Sequence, residues 1–184
     1  MRLILVRHPA PQVSSGICYG SSDVAVAHHE REKVRTSLRH RLPPHIPVYT
    51  SPLLRCLDLA QQLAEDLSAS ALHLDTRLAE MDFGTWEMRP WHTIPRTEID
   101  AWAADLAHYR PGGGENVLGM ATRLQAFQHD LLREQHGVAI LICHAGTIRL
   151  LTALQARLSL EETALLAASS AHKIDYGTTT VINF

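Results

Sequence analysis

The 184-residue sequence predicts an α/β fold, a three-layer α/β/α sandwich around a largely parallel central sheet. Three observations carry this. The apolar runs "RLILV" at 2–6 and "VAILIC" at 138–143 are short, rich in β-formers and free of alternation, as expected of strands covered on both faces. Helical stretches separate the strands, and alternation of the two types brings strands into parallel register. No internal repeat, low-complexity tract or linker interrupts the chain, so residues 1–184 are expected to form a single domain with a sizeable core.

In chain order, "RLILV" is the first strand. His28 to Arg41 reads as a polar helix, stopped by the paired prolines of "LPPHIP". "PVYTSP" is a second short strand. Ser51 is placed as the N-cap of the next helix, with Pro52 in its first turn. That helix carries Leu53, Leu57, Ala60, Leu63, Ala64 and Leu67 as one apolar stripe. "ALHLDTRLAEMDFGTWE" holds a short strand and then irregular chain. Trp91 to Tyr109 is partly helical, interrupted at Pro95, and "RPGGGEN" breaks the pattern outright. Asn116 to Gln135 is helical, "GVAILICHAG" is the clearest buried strand, and "TIRLLTALQARL" is a further helix. "HKIDYGTTTVINF" reads as a terminal hairpin turning at Gly177.

Composition narrows the function classes. A hydrophobic content of 46% and a charged content of 20% are ordinary globular values. A net charge of −2 gives no basic surface for nucleic acid or anionic membrane. No apolar run spans a bilayer, and the run from Leu3 to Val6 is too short for a signal peptide. Cys18, Cys56 and Cys143 are scattered and form no CxxC pair, which argues against disulfides and structural zinc and for a reducing cytoplasm. The sequence assigns no oligomeric state.

Three strands end in basic residues. "LILVRH" ends in Arg7 and His8, "VYTSPLLR" leads to Arg55, and "AILICH" ends in His144. In a parallel sheet these ends lie on one edge, where open α/β sheets bind ligands. Two arginines and two histidines converging there suit a dianion, and the planar guanidinium fork suits phosphate oxygens. "GGGE" at 112–115 lacks the GK[ST] or GxGxxG context of a nucleotide-binding loop.

In order, "LVRHPAP", "TSPLLRC", "LAEMDFGTWE", "PGGGEN" and "LICHAGTIR" resemble the landmarks of the histidine phosphatase superfamily, also called the phosphoglycerate mutase-like family. The resemblance runs over nearly the whole chain. It implies a phosphomonoesterase acting through phosphohistidine on a small phosphorylated metabolite, with no metal and no cofactor. His8 matches the nucleophile, Arg7, Arg55 and His144 the phosphate pocket, and Glu80 the acid; Asp82 and Glu87 stand close enough in sequence to compete for that last role. Ser14, Gly20 and Ser21 fall near the family's further phosphate contacts, although the asparagine usual near Ser14 is missing. Pro9 replaces the small residue that commonly follows the nucleophile and supplies no N–H donor. Glu115 is expected to cap the following helix or meet the pocket rim.

The family's mutases carry a long insertion before the last histidine. Here the stretch is short, a lid around 88–115, which favours hydrolysis over transfer to a product. "RHPAP", "GICYGSSDVAV" and "EMDFGTWEMRPW" look most like the α-ribazole phosphatase branch, which serves cobalamin biosynthesis. Phe83, Trp86, Trp91 and Trp102 would either stack on a flat base or form a small core under the lid. The alternatives are a broad-specificity phosphatase, a mutase and a non-catalytic phosphate-binding or scaffold member.

Overall fold

The computed structural model describes residues 1–170 and 173–184. Among them, five strands form one sheet: β1 (Arg2–Arg7), β2 (Val48–Thr50), β3 (Leu72–Leu74), β4 (Val138–Cys143) and β5 (Thr179–Asn183). The order across the sheet is β3-β2-β4-β1-β5. Every pairing is parallel except that of β5, which runs antiparallel along β1 with Leu3 opposite Ile182.

Six α-helices cover the two faces: α1 (His28–Leu38), α2 (Leu54–Asp66), α3 (Arg96–Ala104), α4 (Val117–Arg133), α5 (Ala145–Ala153) and α6 (Leu160–Ala168). Alternation along β1 divides the core. Ile4 and Val6 pack with Val34, Leu38, Leu59 and Leu63 of α1 and α2. Leu3 and Leu5 pack on the opposite side with Leu124, Phe127, Ile148 and Ala164 of α4, α5 and α6. This is the expected three-layer sandwich, with both central strands buried on both faces. A third cluster of Cys18, Trp86 and Ile94 lies beneath α3.

Three expectations fail. The C-terminal segment is not a hairpin: His172 lies outside the described residues, Lys173 to Tyr176 are not strand, and β5 pairs with β1 instead. Helix α2 starts later than expected, with Leu53 at its N-cap and no side-chain cap there. The amide of Leu54 is met by Asp23 Oδ1 at 2.7 Å, while Ser51 Oγ accepts the Leu53 amide at 3.3 Å, one residue ahead of the helix. Helix α6 was not expected at all. Its Ser159–Glu162 capping box is complete, with each side chain bonding the other residue's backbone N–H.

Candidate active site

The sheet brings β2, β4 and β1 side by side, and their ladder continues past the strand ends. His8 N–H donates to the Cys143 carbonyl at 3.0 Å and Ser51 N–H to the Ile142 carbonyl at 3.0 Å. His8 and Ser51 therefore flank the end of β4, where His144 begins α5. The His8 and His144 rings lie 5.2 Å apart between centroids.

His8 is 2% exposed. Its Nδ1 lies 2.7 Å from the Pro9 carbonyl, which can only accept, so Nδ1 carries the proton and Nε2 keeps its lone pair. Burial first, then the neighbouring Arg55, pushes this imidazole down from 6.5 to about 3, against the pull of the Pro9 carbonyl. The ring is neutral at physiological pH. Pro9 thus contributes an acceptor that fixes the tautomer.

His144 is fully buried, and burial followed by Arg55 and His8 holds it well below its ordinary range. Its Nε2 meets Ser51 Oγ at 2.7 Å. It does not reach the cavity wall that His8 helps to form, so three of the four expected basic groups face the open space and the fourth stands behind.

Arg55, 1% exposed, projects from the first turn of α2 and donates through Nη1 to the Ser22 carbonyl at 2.7 Å and through Nη2 to the Gly20 carbonyl. Arg7 donates through Nη1 to the Ile174 carbonyl. These acceptors are neutral, and among the described residues no carboxylate pairs with either arginine. Two uncompensated guanidinium charges therefore bound the cavity.

Glu80 lines the same cavity. Its carboxylate accepts the amide of Gly146, in the first turn of α5, at 3.1 Å and that of Met81 at 3.2 Å. Gly146 permits this approach: a Cβ there would lie 2.3 Å from Glu80 Oε1. Arg123 holds the loop from behind, donating to the Ala79 carbonyl at 2.8 Å and the Glu80 carbonyl at 3.4 Å while paired with Glu115 at 2.7 Å. Glu115 is thereby engaged away from the rim, and Asn116 caps α4 through Gly119 N–H.

The two competing carboxylates are engaged elsewhere. Asp82 accepts from Gly84 N–H at 2.8 Å in an exposed turn. Glu87 gathers the N–H groups of Gly20, Ser21, Ser22 and Phe83 at 2.9–3.2 Å. Burial alone would raise its carboxyl, but the Ser22 hydroxyl and these amides hold it below the usual range. This corrects the sequence expectation for Gly20 and Ser21: their amides face Glu87, and neither residue lines the cavity. Ser14 is exposed and also off the wall. The triple glycine packs backbone on backbone, since a Cβ on Gly112 would lie 2.3 Å from the Phe83 carbonyl oxygen. Gly114 is equally confined, a Cβ there lying 2.2 Å from the Asp82 carbonyl oxygen, whereas Gly113 has open space and is set apart by its φ of +76°.

The cavity, about 560 Å³, runs from Arg7, His8, Arg55 and Glu80 to an apolar wall that includes Phe83, Trp91, Ile99, Trp102, Leu106 and Met120. The Trp91 and Trp102 rings are stacked at 8°. Trp86 takes no part; it is fully buried, with its Nε1 donating to Glu98 at 2.7 Å. The aromatic cluster thus divides between wall and core. Sequence reasoning missed Ser51, Arg123 and two wall tyrosines, Tyr19 and Tyr176, because each acts through a partner remote in sequence.

Residues 3–180 match the family model of the histidine phosphatase superfamily (branch 1). The chain is 30% identical to the glucosyl-3-phosphoglycerate phosphatase of Mycolicibacterium vanbaalenii, over 83% of this chain and 72% of that protein. It is 29% identical to the adenosylcobalamin/α-ribazole phosphatase of Escherichia coli, over 83% and 78%. The crystal structure of the α-ribazole phosphatase from Shigella flexneri superposes with a TM-score of 0.82 at 25% identity, covering all of this chain and 90% of that one.

Proposed function

The chain belongs to the histidine phosphatase superfamily and is a phosphoric monoester hydrolase; we propose that it works through a phosphohistidine at His8. One observation carries the reading. A neutral imidazole with Nδ1 tied down lines one cavity with two guanidiniums that, among the described residues, have no carboxylate partner. Nε2 of His8 attacks phosphorus while the ester P–O bond breaks and Glu80 protonates the departing oxygen. Water then attacks the phosphohistidine, Glu80 takes its proton, the N–P bond breaks and orthophosphate leaves. Arg7 and Arg55 hold the charge that spreads over the equatorial oxygens. His144 backs His8, and a bound dianion offsets the part of its depression that comes from Arg55 and Arg7, burial remaining the larger part.

The substrate we infer is α-ribazole 5'-phosphate or a similar nucleotide with a flat, weakly polar base. The wall of Phe83, Trp91, Trp102 and Leu106 supports this, since it offers stacking and apolar contact beyond the phosphate end. Among the described residues no helix is long and apolar enough to cross a membrane. The three cysteines are free thiols, and we place the enzyme in a reducing cytoplasm.

Turnover of α-ribazole 5'-phosphate, glucosyl-3-phosphoglycerate and an aryl phosphate, with and without Trp102→Ala, tests the reading. The nucleotide should give the highest kcat/KM, and the substitution should lower it by about tenfold while leaving the aryl phosphate nearly unchanged. A preference for glucosyl-3-phosphoglycerate that survives Trp102→Ala would reject this substrate.

A further inference from the structure

Two tyrosines at the mouth of the cavity have no part in the chemistry above. The Tyr19 and Tyr176 hydroxyls meet at 2.6 Å across 157 positions of sequence. Each ring also faces one arginine: Arg7 Cζ lies 3.8 Å from the Tyr176 centroid, and Arg55 Cζ lies 5.4 Å from that of Tyr19. The Tyr176 ring is 5.5 Å from that of His8.

The loops that bear these tyrosines are the ones that hold the arginines. Gly20 and Ser22, next to Tyr19, supply the carbonyls that receive Arg55. Ile174, two residues before Tyr176, supplies the carbonyl that receives Arg7. Gly177, just after it, donates to the Arg7 carbonyl at 3.1 Å and the His8 carbonyl at 3.2 Å. Arg55, its loop, Tyr19, Tyr176, the second loop and Arg7 therefore form a closed circuit, and the hydroxyl pair is the link between its halves.

We propose that the Tyr19–Tyr176 hydroxyl pair is a positioning clasp that fixes the separation of the Arg7 and Arg55 guanidiniums, and so tunes the pocket to the transferring phosphoryl group rather than to resting phosphate. The clasp rests on the reading of those two arginines as the phosphoryl pocket. In the transition state charge spreads over three equatorial oxygens in one plane, so donors fixed at the right spacing act most strongly there. A tetrahedral phosphate in the ground state tolerates a small displacement of one guanidinium better than that planar group does.

Tyr19→Phe, Tyr176→Phe and the double variant keep the rings over the arginines and remove only the hydroxyl bond. Inhibition of aryl phosphate hydrolysis by orthovanadate, which adopts the five-coordinate geometry, is compared with inhibition by inorganic phosphate, alongside thermal midpoints. Each single variant should weaken vanadate about five- to tenfold and lower kcat similarly. Phosphate inhibition and KM should move less than about twofold, and midpoints should hold. The double variant should be no worse than either single one, because both remove the same bond. Unchanged vanadate affinity, additive losses, equal weakening of vanadate and phosphate, or a loss that tracks a fall in midpoint would each overturn the clasp while the pocket stands. A wild-type enzyme insensitive to vanadate would overturn the pocket reading and the clasp with it.

Discussion

Glu87→Gln tests how the site is built. Oε1 of Glu87 receives the amides of Ser21 at 2.9 Å and Phe83 at 3.0 Å, and Oε2 those of Gly20 at 3.0 Å and Ser22 at 3.2 Å. A glutamine of the same length keeps one acceptor and turns an NH₂ group toward the other pair. Two backbone N–H groups lose their acceptor whichever way the amide is flipped. At ~1–3 kcal/mol for each unsatisfied donor, taken near the lower end because the site is only half-buried, the loss is about 2–4 kcal/mol. For a domain of this size that lowers Tm by roughly 5–15 °C. The same loop supplies both carbonyls that hold Arg55, so KM for an aryl phosphate should rise by about tenfold. Thermal unfolding and steady-state kinetics read the two effects separately. Unchanged Tm together with unchanged KM would refute the idea that Glu87 organises this loop.

Glu80→Gln should slow an alkyl phosphate strongly and an activated aryl phosphate less in the first step, since only the poor leaving group needs a proton. Phosphohistidine should then accumulate, whereas Asp82→Asn should do neither; the reverse pattern would move the acid to Asp82. Stability should depend on pH through His8. Between pH 6.5 and about 3 the unfolded chain binds a proton that the folded imidazole refuses, so stability falls as pH drops through that window. The slope is about 1.4 kcal/mol per pH unit for that group, and His8→Asn should remove it in urea titrations between about pH 6.5 and 5.

The strands and the basic residues at their ends were legible because short apolar runs and the residues that follow them are local signals. "RLILVRH" and "AILICH" state both the element and the group it presents. Interactions closed through space were not legible. By pattern Ser51 fits a turn or cap, and it does accept the Leu53 amide, but its contact with His144 follows only from the register of β2 with β4. Glu87 looked like a rival acid because its four amide donors come from two separate segments. The C-terminal hairpin failed because β1 offered β5 a longer partner than its own preceding loop. Helix α6 was different in kind: Ser159 and Glu162 carried a readable capping box.

In the proposed mechanism His8 itself carries the phosphoryl group. Rapid quenching of the enzyme with ³²P-labelled aryl phosphate, followed by acid and base treatment of the protein, tests it most directly. The wild-type chain should carry label that is stable in base and released by acid, and His8→Ala should carry none. Hydrolysis by His8→Ala should fall by about three or more powers of ten, or about 4 kcal/mol of barrier. Turnover in His8→Ala near the wild-type rate, or label retained on that variant, would contradict it.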